Sequence, residues 1–241
     1  MTVRFLPSGD TAVVAEFGDR IDRALNQRVL RLNAAVRAAR VPGVVETLPT
    51  FRSLLVHYDP LATRNADVIA AIERLLALDE TVAQSGTLWR IPACYEGTHA
   101  PDLEEVAQRA GLAADEVIRL HSGTQYQVYM IGFSPGFPYM GDVPAPLALP
   151  RRTDPRVRVP AGSIAIAAGM TAVYPVESPG GWHLIGSTPV RFFDVSAPQP
   201  ALLAPGDRVL FEPVDESEYE RIGAAVATGE YRMPSEAVAA T

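Results

Sequence analysis

From Thr124 onward the chain breaks into short apolar runs, TQYQVYMIGF, GSIAIAAG, TAVYPV, HLIGST, VRFFDV and DRVLFEPV, separated by proline and glycine turns. An open parallel sheet needs a long crossover between strands, and these connections leave no room for a series of them. The pattern therefore predicts a closed or nearly closed barrel. The segment from Asp215 to Thr228 reads as a capping helix, and the last dozen residues as a frayed end.

The first part of the chain has a different period. In DRALNQRVLRLNAAVRAAR, from Asp22 to Arg40, the residues Leu25, Val29, Leu32 and Val36 recur every three or four positions, with Asp22 as N-cap. Pro42 and Gly43 end this helix. Short strands at residues 3 to 6 and 11 to 17, the pair VVETLP and SLLVHYD, a second amphipathic helix from Asn65 to Leu78 and a closing strand TLWRI complete a split α/β sandwich with two helices on one sheet face. The expected division is an α+β domain over residues 1–90 and a mainly β domain over residues 91–241. Two short helices, PDLEEVAQRA and ADEVIRLHSG, open the second domain. Their acidic exposed sides argue against a DNA-reading helix pair.

Composition narrows the chemistry. All 21 basic residues are arginine, so Schiff-base catalysis and a phosphate-loop lysine are excluded for this chain, while planar clamps on carboxylates or phosphates are well supplied. The net charge of -7 argues against broad nucleic-acid binding. No apolar run approaches the ~18 residues that span a bilayer. MTVRFLPSGD lacks the pattern of a signal peptide, which sets the expectation of a cytoplasmic protein. The single cysteine, Cys94, allows no internal disulfide and reads as a buried or half-buried spectator.

Three blocks stand out. GFSPGFPYM sets Phe133, Phe137 and Tyr139 among Gly132, Pro135, Gly136 and Pro138, either as a proline-stapled barrel corner or as a stiff pocket wall. LPRRTDPRVRVPAGS carries Arg151, Arg152, Arg156 and Arg158, an anion patch or a solvated rim, with Arg156 and Arg158 on one side of an extended segment. SPGGWHLIG contributes Trp182 and His183. His57, His99, His121 and His183 form no recognised metal spacing. His121, at a helix end beside Gly123, suits either a general acid or base or a cap of the last carbonyls. Ser134 and Ser163 lie in no nucleophile elbow.

The segments HSGTQYQVYMIGFSPGFPYMGDVP, LPRRTDPRVRVPAGSIAIA and TAVYPVESPGGWHLIGSTPVRFFD resemble the allophanate hydrolase subunit 1 or KipI family, which includes the B subunit of 5-oxoprolinase. The resemblance implies an N-terminal ferredoxin-like α+β domain and a C-terminal cyclophilin-like barrel. It implies a non-autonomous subunit of an ATP-dependent cyclic-amide hydrolase that converts 5-oxo-L-proline to L-glutamate, with ATP used by the complex, a subunit 2 or KipA-like partner and a LamB/YcsF-like third subunit. The family also implies two alternatives: an allophanate hydrolase or urea-carboxylase-like carboxyltransferase component, and an inhibitor of histidine kinase autophosphorylation.

Carried onto this chain, the blocks make His121, Arg156 and Arg158 the candidate catalytic residues. Tyr126, Phe133, Ser134, Pro135, Gly136, Phe137 and Tyr139 are expected to line a substrate or partner groove at the barrel mouth or partner junction. So are Arg151, Ser163, Tyr174, Ser178, Gly180, Gly181, Trp182 and His183. Two departures from the family pattern, Met170 with Ala172 in AAGMTAVYP and Ser187 in IGSTP, remove an amide and a guanidinium that such a groove usually carries.

Overall fold

The computed structural model describes residues 3–78 and 85–239. The chain divides between Ser85 and Gly86 into two compact units. In the first, β1 (Arg4–Pro7), β2 (Ala12–Glu16), α1 (Arg23–Ala39), β3 (Val44–Pro49), β4 (Ser53–Tyr58) and α2 (Asn65–Ala77) follow in order. The four strands form an antiparallel sheet in the order β1-β2-β4-β3. Asp22 caps α1 by accepting from the Leu25 amide at 3.0 Å. The register sets Val13 opposite Val56 and Ala15 opposite Leu54, so these four share the face that Val29, Val36, Val68 and Ile72 of the helices bury. Each large aliphatic side chain enclosed in this way contributes about 1.5–3 kcal/mol.

The second unit holds β5 (Ser85–Cys94), α3 (Leu103–Ala110), α4 (Ala114–Ser122), β6 (Tyr126–Ile131), β7 (Pro138–Gly141), β8 (Arg156–Val159) and β9 (Ser163–Ala167). It continues with β10 (Met170–Val173), β11 (Ser178–Gly180), β12 (His183–Ser187), β13 (Arg208–Val214), α5 (Glu216–Thr228) and β14 (Ser235–Ala239). Seven strands run β12-β9-β10-β7-β6-β13-β5, and the pairing of Ser187 with Cys94 closes the ring. Every barrel strand sends residues into one core, among them Ile91, Val128, Met140, Ile164, Val173, Ile185 and Phe211, so that core is the barrel interior. Val106 of α3 and Val117 of α4 join it.

The wall built by β7, β10, β9 and β12 is buried on both sides. Ile164 and Ile166 face inward, whereas Ala165 and Ala167 join an outer cluster with Phe137, Tyr174 and Trp182. Small residues on the outer side of β9 leave room for those rings.

Three elements differ from the sequence expectation. TLWRI is part of β5, a barrel strand parallel to β13, not the closing strand of the first sheet. Strand propensity announces the strand, but its partner lies over a hundred residues later and only tertiary pairing selects it. VRFFDV forms no ladder beyond an isolated bridge between Phe193 and Ala201, because Pro189, Pro198 and Pro200 around it cannot donate to one. Residues 235–239, expected to fray, form β14 beside β5.

His121 lies wholly inside the barrel, its ring 4.7 Å from that of Phe211. The Thr171 hydroxyl spends its one proton on the Ala165 carbonyl at 3.1 Å and must accept from His121 Nε2–H at 3.0 Å. His121 Nδ1 then accepts from the Tyr95 hydroxyl at 2.7 Å. This neutral imidazole is fully satisfied, and burial lowers its pKa to about 3. Because an unfolded histidine binds its proton near pH 6.5, the unfolded chain holds more protons than the native chain between that value and about 3. Stability is therefore lost as pH falls through this window, by a few kcal/mol on the order of one per pH unit. Urea titrations at stepped pH should show a shallower loss between pH 6.5 and 4 for His121→Gln than for the parent; identical slopes would contradict the assignment.

Candidate functional site

The three sequence blocks converge on the outer face of the barrel wall. Phe137 stands at the centre, with the rings of Phe133, Tyr139, Tyr174 and Trp182 at 5.2, 5.0, 5.1 and 6.0 Å, all edge to face. Such pairs add about 0.5–1.5 kcal/mol each beyond area burial. The loop that delivers Phe137 closes on itself: Gly132 N–H donates to the Phe137 carbonyl, and Phe137 N–H to that of Ser134, both at 3.0 Å. Gly136 takes a φ of +76°, and the exposed Phe133 takes +66°, a left-handed conformation that few side chains adopt. Pro135, also exposed, joins Ser134 to Gly136 within that turn.

Over this cluster lies a separate two-stranded ribbon, β8 paired with β11, with Ser178 opposite Val159 and Gly180 opposite Arg156. Gly181 continues from β11, its carbonyl accepting from the Arg152 amide at 2.8 Å. Ser163, at the start of β9, is buried opposite Ser187.

Asp102, at the start of α3, fixes the arginines. Its Oδ1 accepts from Arg156 Nη2 at 2.5 Å and from Arg152 Nη1 at 3.3 Å. Its Oδ2 accepts from the Leu184 amide at 2.7 Å, and its own amide donates to the Leu184 carbonyl at 2.9 Å. A carboxylate so enclosed is tolerated because both its oxygens have donors. Arg151 extends over the Trp182 ring at 6.0 Å. Burial raises the Tyr174 pKa to about 12, with Tyr139 adding to the shift and Arg151 and Arg156 opposing it.

The structure does not bring all expected site residues together. Thr171 and Val173 of β10 point into the barrel with His121 and Tyr126, whereas Met170 and Ala172 of the same strand face the aromatic cluster. His121 and Tyr126 are thus separated from the outer blocks by the barrel wall, and the blocks cover that wall instead of opening a mouth. Arg158 does not share the Asp102 partner of Arg156 but pairs with the exposed Glu177 at 2.8 Å, with 76% of its own side chain in solvent. Screening leaves such a pair little energetic weight.

What remains coherent is defined by unsatisfied polar atoms. Among the described residues, the buried side-chain atoms without a hydrogen-bond partner are Ser134 Oγ, Arg152 Nε, Arg156 Nη1, Ser178 Oγ and His183 Nδ1. All five belong to the three blocks. Buried polar atoms are nearly always paired in folded proteins, so their concentration in these blocks makes this face the candidate site. His183 is held by Nε2–H donating to the Pro150 carbonyl at 3.0 Å, which leaves Nδ1 as the open position.

Sequence reasoning missed two participants. Asp102 reads only as an acid at a helix start, since its partners lie some fifty or more positions away. His99 joins Ser187, with Nδ1 2.7 Å from the serine oxygen, while its ring lies 4.2 Å from that of Tyr219. Ser187 thus occupies the family's arginine position with a hydroxyl already engaged by a histidine. No local spacing signals either pair.

Comparison with protein families matches residues 3–203 to the model described as Carboxyltransferase domain, subdomain C and D. The chain belongs to that family. The matched span includes all three blocks. Within the family the chain is homologous to the B subunit of 5-oxoprolinase: it is 39% identical to that protein of Bacillus subtilis (strain 168), over 91% of this chain and 97% of the relative. Identity to the corresponding protein of Escherichia coli O157:H7 is 40%, over 86% and 94%. Among solved structures, TTHA0988 superposes with a TM-score of 0.77 and 36% identity, covering 89% of this chain and 41% of that chain. This chain therefore spans about two-fifths of that structure's chain.

Gly180 offers a test of how tightly the outer site is packed. A Cβ there would overlap the Tyr174 hydroxyl, and the buried Tyr174 ring has Phe137 against it. Gly180→Ala should cost about 1–3 kcal/mol in urea unfolding and alter the near-ultraviolet circular dichroism of the cluster. Unchanged stability and spectrum would show that the rings are loosely held.

Proposed function

We propose that this chain is the B subunit of an ATP-dependent 5-oxoprolinase complex, in which it is not the catalytic chain by itself. The observation that carries this reading is the 39–40% identity to proteins of that name over nearly their whole length. The first unit is read as ferredoxin-like, with β1 supplying the edge strand that ordinarily follows α2. The second is read as a cyclophilin-like barrel with an external arginine-aromatic face. A subunit 2 or KipA-like protein and a LamB/YcsF-like subunit would complete the complex.

ATP is assigned to those other subunits, because the residues here do not suit it. The chain has no lysine and no glycine-rich phosphate loop. The complex is read as cytoplasmic. No helix among the described residues is long and apolar enough to cross a membrane.

This chain's contribution is a preorganised donor surface. Asp102 holds Arg156 by Nη2, and the buried, unpartnered Nη1 would meet a carboxylate or an oxygen on which negative charge develops once the side chains covering it part. Arg151 on Trp182 supplies a second cation. 5-Oxoproline presents both a carboxylate and a lactam oxygen, so two fixed guanidinium groups beside an aromatic wall suit its polar edge and apolar ring. His121 serves the barrel interior, and Arg158 the solvated rim.

The matching model's carboxyltransferase description favours one second reading, an allophanate or urea-derived substrate. Complex reconstituted from this chain and its partner subunits decides between them by ATP-dependent glutamate formation from 5-oxoproline against ammonia formation from allophanate. For the first reading, Arg156→Lys and the pair Arg151→Ala with Arg156→Ala should lower kcat/KM for 5-oxoproline by at least about tenfold, and Arg158→Ala should leave it near the parent value. Undiminished turnover in the Arg151/Arg156 variant would remove the arginine role. Turnover of allophanate alone would select the second reading, and neither activity with loss of kinase autophosphorylation would select a histidine kinase inhibitor.

A further inference from the structure

The first unit carries a feature that the outer barrel face does not use. Residues 1–85 contain ten arginines and ten acids, so the whole net charge of -7 falls on residues 86–241. Within that balanced unit the cations are gathered: from Arg23 to Arg40 there are five arginines and no acid. The C-terminal end of α1 and the strand β3 enclose a groove of about 490 Å³ lined by Val36, Arg37, Arg40, Val41, Val44 and Val45, with Glu46 and Thr47 completing it. Among the described residues β3 pairs only with β4, which makes it the edge of the sheet. It also displays apolar side chains there, with Val45 73% and Leu48 38% exposed. An edge strand with exposed valine and leucine is open to pairing unless something covers it.

Two observations identify the cover by its charge. The side chains of Arg37 and Arg40 have no hydrogen-bond or ion-pair partner among the described residues, in a protein where most other arginines on regular elements are paired. Arg40 also occupies the αL position that ends α1, with φ at +45°, a position for which glycine is much the easier residue. The chain places glycine at the same position after α3 and after α5, at Gly111 and Gly229. Keeping an arginine at this one helix end puts a cation at the mouth of the groove at a conformational cost.

We propose that the groove between α1 and β3 docks an extended acidic segment of a partner protein, which adds as a strand to β3, seats apolar side chains against Val41, Val44 and Val45, and sets carboxylates on Arg37 and Arg40. Strand addition provides main-chain hydrogen bonds, the valines provide pockets for alternate side chains, and the arginines select against basic segments.

The test uses the full chain and a short fluorescein-labelled peptide alternating glutamate and valine, with a lysine-valine peptide and a single-stranded oligonucleotide as comparison probes. Fluorescence anisotropy should show binding of the glutamate peptide that weakens with salt, and amide exchange should show protection confined to Val44–Pro49. Replacing Arg37 and Arg40 by alanine should weaken binding by roughly tenfold or more. Arg40→Gly separates recognition from folding, because it should raise Tm while weakening the peptide. Equal binding of the lysine peptide, tighter binding of the oligonucleotide, unchanged affinity in Arg40→Gly, or no binding of the glutamate peptide would each overturn the proposal. Concentration-dependent self-association that disappears in the Arg37/Arg40 variant would overturn it in favour of a second copy of this chain.

Discussion

The outer face of the barrel depends on one buried carboxylate. Asp102 ties the start of α3 to β12 through one side-chain and one main-chain hydrogen bond with Leu184 and ties the arginine segment to both through Arg152 and Arg156. Without it, the Arg156 guanidinium would lie against the wall with no carboxylate partner, and Arg152 would keep only Glu105, at 3.1 Å. A buried pair of this kind is weak evidence for stability, because desolvation offsets most of its attraction. Its value here is positional: it sets the direction of Arg156.

That positioning requires a wall buried on both sides. Isoleucines fill the barrel from β9, while alanines on its other face admit Phe137, Tyr174 and Trp182. The ribbon of β8 and β11 then covers the rings and carries Arg156. Proline and glycine in the three blocks make sense in this frame. They form tight returns over a surface already occupied by barrel strands, and the left-handed turn at Gly136 brings the main chain close to Phe192 and Phe193. The rigid aromatic wall and the arginine patch are one construction, and both carry buried polar atoms without a partner.

Local signals carried far in this chain. The cap Asp22, the amphipathic stripe of α1 and the short strands of the barrel were legible, because each depends on residues a few positions apart. The family blocks were also legible as a group. Less accessible was which side of the wall each residue would face. His121 precedes the aromatic block closely in sequence, yet it meets Thr171, whose neighbour Ala172 belongs to the opposite face. Alternation along β10 contains that information only after the strand's register is known. Asp102 and the His99–Ser187 pair were invisible for the same reason, since each forms across a fold that brings distant segments together.

The most direct test of the account is a double-mutant cycle between Asp102 and Arg156, read as kcat/KM of the reconstituted complex. If Asp102 acts by aiming Arg156, the Asp102→Asn, Arg156→Ala double variant should lose scarcely more activity than Arg156→Ala alone, giving a coupling of about 1 kcal/mol or more. Losses that simply add would show that Asp102 and Arg156 act independently, and would contradict the arginine surface as a site organised by that carboxylate.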